Sequence, residues 1–132
     1  MSDPTYGLTK HLPKLDFDAA KAAITDALKG EGFGILTEID VKSTLKAKIN
    51  VDFRRYAILG ACNPPLAHRS LTLEPYIGLF LPCNVVVAEE DGGGSVVSIA
   101  KPSAMFSIVD NPAMNDLVSE VEQKLTRALA KL

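Results

Sequence analysis

Cysteine occurs only twice in this sequence, and each cysteine is followed by asparagine, as Cys62-Asn63 and Cys83-Asn84. Each pair lies where an apolar run meets a proline. A thiol beside an amide could bind a ligand, attack a substrate or pair with the other thiol. Free cysteine is also among the most buried residue types, so both thiols could serve packing alone. We call these two dipeptides the Cys-Asn steps and treat them as the candidate site.

Cys62 is predicted to lie directly before a helix. Asn63-Pro64-Pro65 is typical of a helix start, because asparagine is a strong N-cap and proline is tolerated at the first helical position. The unpaired N–H groups and the dipole of that helix end favour an anion and would lower the pKa of the Cys62 thiol. The sequence therefore predicts a reactive thiolate at Cys62, with packing as the alternative.

Cys83 is a candidate site residue because the Cys-Asn step of Cys62 is repeated there. If both steps lie at neighbouring strand ends, the thiols of Cys62 and Cys83 could form a redox pair or a two-sulfur site. His68, on the same short helix, could add a nitrogen ligand for a soft metal. The sequence has no Cys-x-x-Cys pair and no second histidine close by, so we expect no metal. Asn63, Asn84 and His68 are then predicted to form a polar rim, although N-capping is a sufficient role for Asn63.

The composition limits the class of protein. A chain of 132 residues with 47% hydrophobic residues fits a single domain, residues 1–132, with its own core. A formal net charge of -2 gives no global attraction for nucleic acid or anionic lipid. No apolar run approaches the roughly 20 residues of a membrane span, and the N-terminus lacks signal-peptide features. We therefore expect a cytoplasmic protein with reduced thiols, no nucleic-acid partner and no membrane partner.

Hydrophobic periodicity predicts the secondary structure. The predicted strands are residues 6–12, 34–39, 53–61, 85–89 and 95–100, with a last, shorter strand predicted at 105–109. The predicted long helices run from Asp16 to Gly30 and from Asn111 to the C-terminus, and short helices follow Asp40 and Asn63. Glu120 and Lys124 are spaced for an ion pair on the last helix.

Strand 53–61 is apolar enough to predict that other elements cover both of its faces. The order predicts an α+β domain whose two long helices pack on one face of an antiparallel sheet, with two short connecting helices.

The two cysteine signatures also carry a family resemblance. Residues 59–64 (Leu-Gly-Ala-Cys-Asn-Pro) and 78–85 (Gly-Leu-Phe-Leu-Pro-Cys-Asn-Val), with the strand entry at 32–36, resemble the bacterial and archaeal domain-of-unknown-function family 302. The resemblance covers essentially the whole chain. It implies an α+β fold like that of the TATA-box-binding protein, in the order β-α-β4-α, often as a homodimer. It marks the two Cys-Asn steps but implies no function, and the fold is no argument for DNA binding.

Three functions remain open at this level. The first is a small-ligand or redox-responsive binding module with its pocket between the helix after Cys62 and the strand starting at Cys83. The second is a thiol-dependent enzyme with Cys62 as nucleophile and His68 as base, which would need the two side chains within about 3 Å. The third is a structural homodimer that associates through the apolar segment 76–81. The sequence names no cofactor.

Overall fold

Five strands form one antiparallel sheet in the computed structural model, which describes residues 2–132. Met1, the first residue of the segment on which the signal-peptide prediction was made, lies outside the described residues. The strands are β1 (Gly7–Leu12), β2 (Gly34–Asp40), β3 (Tyr56–Cys62), β4 (Cys83–Glu89) and β5 (Ser95–Ala100). Their spatial order is β1-β5-β4-β3-β2, and every neighbouring pair is antiparallel. The strands β1 and β2 are therefore the two edges.

Residues 2–132 also contain five helices and three short 3-10 turns, of which two helices and two turns follow the last strand. The helices are α1 (Phe17–Gly30), α2 (Val41–Ile49), α3 (Pro64–Leu73), α4 (Pro102–Met105) and α5 (Asn115–Ala130), and the turns are Ile77–Phe80, Phe106–Ile108 and Pro112–Met114. Among residues 2–132, none of the helices is long and apolar enough to cross a bilayer. The element order confirms the predicted α+β fold in the order β-α-β4-α.

The core lies between the sheet and the two long helices. Ile24 and Leu28 of α1 and Leu125 of α5 are fully buried, together with Val85 of β4 and Ile99 of β5. Burying a side chain of this size contributes about 1.5–3 kcal/mol to the free energy of unfolding. The buried apolar faces of α1 and α5 therefore supply much of the driving force for folding. The two long helices pack on one face of the sheet, as the sequence predicts.

The strand β3 is covered fully on one face only. Ala57, Leu59 and Ala61 are buried in the core, whereas Tyr56 and Ile58 on the other face are half-buried. The expectation that the apolar run 53–61 is covered on both faces is therefore wrong for these two side chains. The two long helices lie on the same face, so they leave the other face of β3 without equivalent cover.

Local capping signals are confirmed at three helices. The side chains of Asp16, Asp40 and Asn63 accept hydrogen bonds from backbone N–H groups in the first turns of α1, α2 and α3. After α1 the chain reverses at Gly32, whose φ of 87° is accessible to glycine at little cost. This reversal returns the N–H of Phe33 to the carbonyl of Leu28 at 2.9 Å and aims the chain into β2.

Three predictions near the C-terminus are wrong in detail. Residues 105–109 form no strand; they complete α4 and the following 3-10 turn. The strand β5 already has β1 and β4 on its two sides, so no position beside it remains for another strand. Asn111 caps a 3-10 turn, and the last α-helix begins only at Asn115. Glu120 pairs with Arg69 of α3 at 3.1 Å rather than with Lys124.

Candidate functional site

The sheet register brings the two Cys-Asn steps side by side. The strand β3 ends at Cys62, and β4 begins at Cys83. The antiparallel pairing places Ala61 opposite Cys83 and Gly60 opposite Asn84. Residues that are directly opposite in such a pair have Cβ atoms about 4.5–5.5 Å apart, so the two steps share one end of the sheet.

Gly60 permits this close approach. A Cβ atom at residue 60 would lie 2.7 Å from Cγ of Pro82 and closer still to Oγ1 of Thr37. Any larger residue would therefore displace Pro82, which follows the cis peptide bond after Leu81. The glycine in the first signature and the proline in the second thus fit against each other across two strands.

A pocket of about 250 Å³ opens at this end of the sheet. We call it the thiol pocket; it lies between the end of β3, helix α3 and residues 81–83, with Phe106 and Val121 completing its wall. Both Cys62 and Cys83 line it, and most of the other lining side chains are apolar. Among residues 2–132, the side chains that line it include no carboxylate, ammonium or guanidinium group. Its chemistry is that of a neutral, apolar cleft with two soft sulfur atoms.

Burial keeps Cys83 protonated. Desolvation, with a smaller electrostatic contribution from the neighbouring Cys62, raises the pKa of the Cys83 thiol from 9.0 to about 11. Both cysteines are free. At neutral pH Cys83 therefore presents an S–H group to the thiol pocket rather than a nucleophilic thiolate.

Asn63 has a structural role in the fold. Its side chain is buried, its Oδ1 accepts from the N–H of Leu66 at 3.4 Å, and its Nδ2 donates to the carbonyl of Glu31 at 3.3 Å. Ser70, which also lines the thiol pocket, donates its hydroxyl to the carbonyl of Leu66 at 2.8 Å. The amide and hydroxyl at the wall of this pocket each have protein partners, and the Ser70 hydroxyl spends its one donor on the backbone.

Asn84 has the opposite surroundings. Its side chain is exposed and lines a second pocket of about 130 Å³, which we call the Asn84 pocket. Within the described chain its amide makes no hydrogen bond. The two pockets share four lining residues: Leu81, Pro82, Cys83 and Phe106.

The structure does not bring His68 to the site. His68 is exposed on α3 and lies outside the residues that line either pocket. The structure therefore gives no support to a Cys62–His68 nucleophile and base. In the part of the chain that the structure describes, no three His, Cys, Asp or Glu side chains are grouped so that they could hold a metal ion.

Sequence reasoning missed Phe106 and Leu36 as pocket residues. Phe106 lies on a 3-10 turn within a segment that the sequence predicts as strand. Leu36 lies at an irregularity in β2, where the register against β3 shifts between Ile35 and Thr37. A bulge of this kind redirects a side chain, and no residue pattern in this part of the sequence predicts the bulge.

Comparisons with known proteins agree with this fold and with the family resemblance. The family described as "Domain of unknown function DUF302" matches residues 8–132. A crystal structure of an uncharacterized conserved DUF302 protein from Bacillus stearothermophilus is 29% identical, covering 97% of this chain and 98% of that chain with a TM-score of 0.88. Comparison with curated proteins gives no match. The resemblance carried by the two Cys-Asn steps is thereby confirmed: the chain belongs to the DUF302 family.

Proposed function

We propose that this protein is a binding module for a small, neutral and largely apolar ligand, which it holds in the thiol pocket. The observation that carries the proposal is a concave, apolar pocket that is lined by both cysteines. Ligand sites in proteins are characteristically apolar clefts with few polar groups. An apolar cavity of about 150 Å³ binds benzene, so the thiol pocket at about 250 Å³ has room for a molecule of at least that size.

The lining argues against a charged ligand. Among the described residues, no charged side chain faces the thiol pocket, and the polar groups of Asn63 and Ser70 already have protein partners. A buried ion without a partner costs several kcal/mol, which this pocket offers no group to offset.

Binding is favoured over thiol chemistry by the state of Cys83. A nucleophilic role for Cys83 requires its thiolate, whereas burial raises the pKa of the Cys83 thiol to about 11, so this argument disfavours chemistry at Cys83. The thiols act in this proposal as soft, weakly hydrogen-bonding contacts for the ligand.

Benzene and indole are suitable probes. We expect titration of the folded protein with either molecule, followed by two-dimensional NMR, to give saturable shifts centred on Leu66 and Cys83. Ala67→Phe on α3 fills the pocket and should abolish these shifts. Ala47→Phe places the same residue on the exposed surface of α2 and should leave them unchanged. Absence of saturable shifts, or shifts that survive Ala67→Phe, would contradict the proposal.

We propose in addition that the chain associates as a homodimer through segment 76–81. The 3-10 turn Ile77–Phe80 is anchored by buried Ile77 and by Phe80, which packs edge-on against Phe106 at 5.9 Å between ring centroids. This anchored turn presents Tyr76 and Leu79 at 82% and 84% exposure, more than the other large apolar side chains described. Exposed aromatic and aliphatic anchors on a rigid turn are typical of interface centres.

Sedimentation velocity tests the dimer. We expect the wild-type chain to sediment as a dimer and the double variant Tyr76→Ser, Leu79→Ser to sediment as a monomer. Tyr6→Ser removes an exposed tyrosine elsewhere and should leave the dimer intact. A wild-type monomer at high protein concentration would contradict this second proposal without affecting the first.

A further inference from the structure

A third pocket lies between helix α5 and the segment that follows β5, and it has a volume of about 380 Å³. We call it the serine pocket, because Ser103, Ser107 and Ser119 line it. It shares the ring of Phe106 with the thiol pocket, but it is also lined by the carboxylate of Glu122. The two pockets therefore differ in the charge of the ligand that they suit.

The α5 wall of the serine pocket is a second face of that helix. The core face of α5 carries Leu117 and Leu125, which are both buried. Asn115, Ser119 and Glu122 follow one another at i, i+4 and i+7, so they share one side of the helix. All three line the serine pocket. Helix α5 therefore has an apolar face in the core and a polar face at this pocket.

Glu122 is held in place at the pocket wall. The residue is half-buried, and its Oε1 accepts a hydrogen bond from the N–H of Ser103 at 2.9 Å. Within residues 2–132 Glu122 forms no ion pair, and its Oε2 has no hydrogen-bond partner. The exposed side-chain amide of Asn115 makes no hydrogen bond within these residues either. One carboxylate oxygen and one amide carbonyl are thus available to a donor that enters the pocket.

Apolar side chains form another part of the lining. Met114 is buried, and Phe106, Val109 and Val118 are half-buried. These side chains can cover the hydrocarbon part of a ligand. The ring of Phe106 adds an electron-rich face, which attracts a cation. A carboxylate beside an apolar surface suits a molecule with a positive end and a hydrocarbon body.

We propose that the serine pocket binds a small organic amine in its protonated form. The ammonium group pairs with Glu122 and donates to the side-chain carbonyl of Asn115, and the hydrocarbon body lies on Phe106 and Val118. An ammonium group has only donors, which match the two free acceptors of the pocket. Glu122 would repel an anion, and a neutral alcohol would lack the ion pair. This site is separate from the one in the proposed function, whose ligand is neutral.

Cyclohexylamine and cyclohexanol are matched probes. They share the same ring, and at neutral pH the amine is protonated whereas the alcohol is neutral. In two-dimensional NMR titrations of the full chain at low salt, we expect cyclohexylamine to give saturable shifts at Asn115, Val118 and Ser119. Charge-assisted hydrogen bonds are stronger than neutral ones, but Glu122 is partly exposed, so cyclohexanol should bind there roughly threefold to tenfold more weakly.

Glu122→Gln is the decisive variant. Glutamine keeps an acceptor for the N–H of Ser103 and removes the charge, so the fold should be unchanged. The affinity for cyclohexylamine should fall roughly threefold to tenfold, to the level of cyclohexanol. Asp26→Asn removes the same charge from the exposed surface of α1 and should leave the affinity for cyclohexylamine unchanged.

Each outcome decides the inference. The absence of saturable cyclohexylamine shifts at the serine pocket overturns it, as does equal affinity of this pocket for the amine and the alcohol. An unchanged affinity in Glu122→Gln also overturns it. An equal loss in Asp26→Asn overturns it as well, because binding would then follow the net charge of the chain and not Glu122. The benzene titration of the thiol pocket tests the proposed function independently of these results.

Discussion

The two Cys-Asn steps have the same residues and opposite surroundings. Asn63 is buried and hydrogen-bonded at both ends of its amide, whereas Asn84 is exposed and its amide is free within the described residues. The first step terminates a strand and starts a helix, and the second starts a strand. The element that comes after each dipeptide decides whether its amide serves the backbone or faces a pocket.

The comparison teaches that the amide of the first step serves the fold, whereas that of the second step is exposed. Asn63 satisfies N–H and carbonyl groups that α1 and α3 would otherwise leave unpaired. The N–H groups of Asn84 and its neighbours belong to a sheet ladder with β3 and β5, so its side chain has no capping task. The thiol pocket lies between the two steps and uses a sulfur atom from each.

The largest expected effect comes from disturbing the fit between the two steps. Gly60→Ala would place a methyl group 2.7 Å from Cγ of Pro82 and should lower the free energy of unfolding by about 1–3 kcal/mol, as overpacking typically does. Gly34→Ala adds the same methyl group to β2, where no heavy atom lies within 4 Å, and should be neutral or slightly stabilising. Urea denaturation measures both. Equal stability of the two variants would show that Pro82 does not require a glycine opposite it.

The next effect concerns the reactivity of Cys83. A pKa of about 11 instead of 9.0 lowers the thiolate fraction of Cys83 near neutral pH about a hundredfold. The more basic thiolate is about tenfold more nucleophilic, so the net reaction rate falls about tenfold. In Cys62→Ser, Cys83 should therefore react at least tenfold more slowly with a thiol reagent in the folded protein than in the urea-unfolded chain. The reaction rate should continue to rise with pH up to about pH 11. A folded rate equal to the unfolded rate would remove the assignment of Cys83 as a buried thiol.

A smaller effect separates the two asparagines directly. Asn63→Ala removes a helix N-cap and should cost about 1 kcal/mol of stability. Asn84→Ala removes no hydrogen bond within the described chain and should change stability by less than about 0.5 kcal/mol. Thermal and chemical denaturation of the two variants check this prediction. Equal losses would mean that the amide of Asn84 also serves the fold.

The smallest expected effect is the pH dependence contributed by His11. Its ring nitrogens contact Asp3 at 2.7 Å and Glu90 at 2.6 Å, and these hydrogen bonds raise its pKa above 6.5. The stabilisation is complete below 6.5 and is lost as the pH rises through the folded-state pKa. The raised pKa of Cys83 has the same sign, but its loss falls between pH 9.0 and about 11.

Stability measured against pH resolves these two contributions. His11→Gln should flatten only the part of the curve that begins above pH 6.5, and Cys83→Ser only the alkaline part. Because His11 is surface-exposed, its part should be small and should shrink further at high salt. A flattened alkaline limb in His11→Gln would show that the alkaline loss does not belong to the second Cys-Asn step.

Much of the fold can be predicted from local sequence, and the site only in part. Asp16, Asp40 and Asn63 are correctly predicted as N-caps because capping depends on a few adjacent residues. The segment 105–109 is wrongly predicted as a strand, because its apolar residues fit a strand pattern, whereas Phe106 and Val109 pack against the core from a 3-10 turn and its end. Nearness in sequence places His68 at the predicted site, yet the rotation of α3 leaves it exposed.

The sequence by itself determined the α+β class, the helix caps, the family and the pairing of cysteine with asparagine at two strand ends. These features depend on short-range periodicity and on residue-specific backbone preferences. The tertiary structure alone decided that β3 and β4 are neighbours, that Phe106 closes the pocket and that Cys83 is desolvated. Burial and register are properties of contacts between distant segments, so two identical dipeptides could acquire a structural role in one place and an open amide in the other.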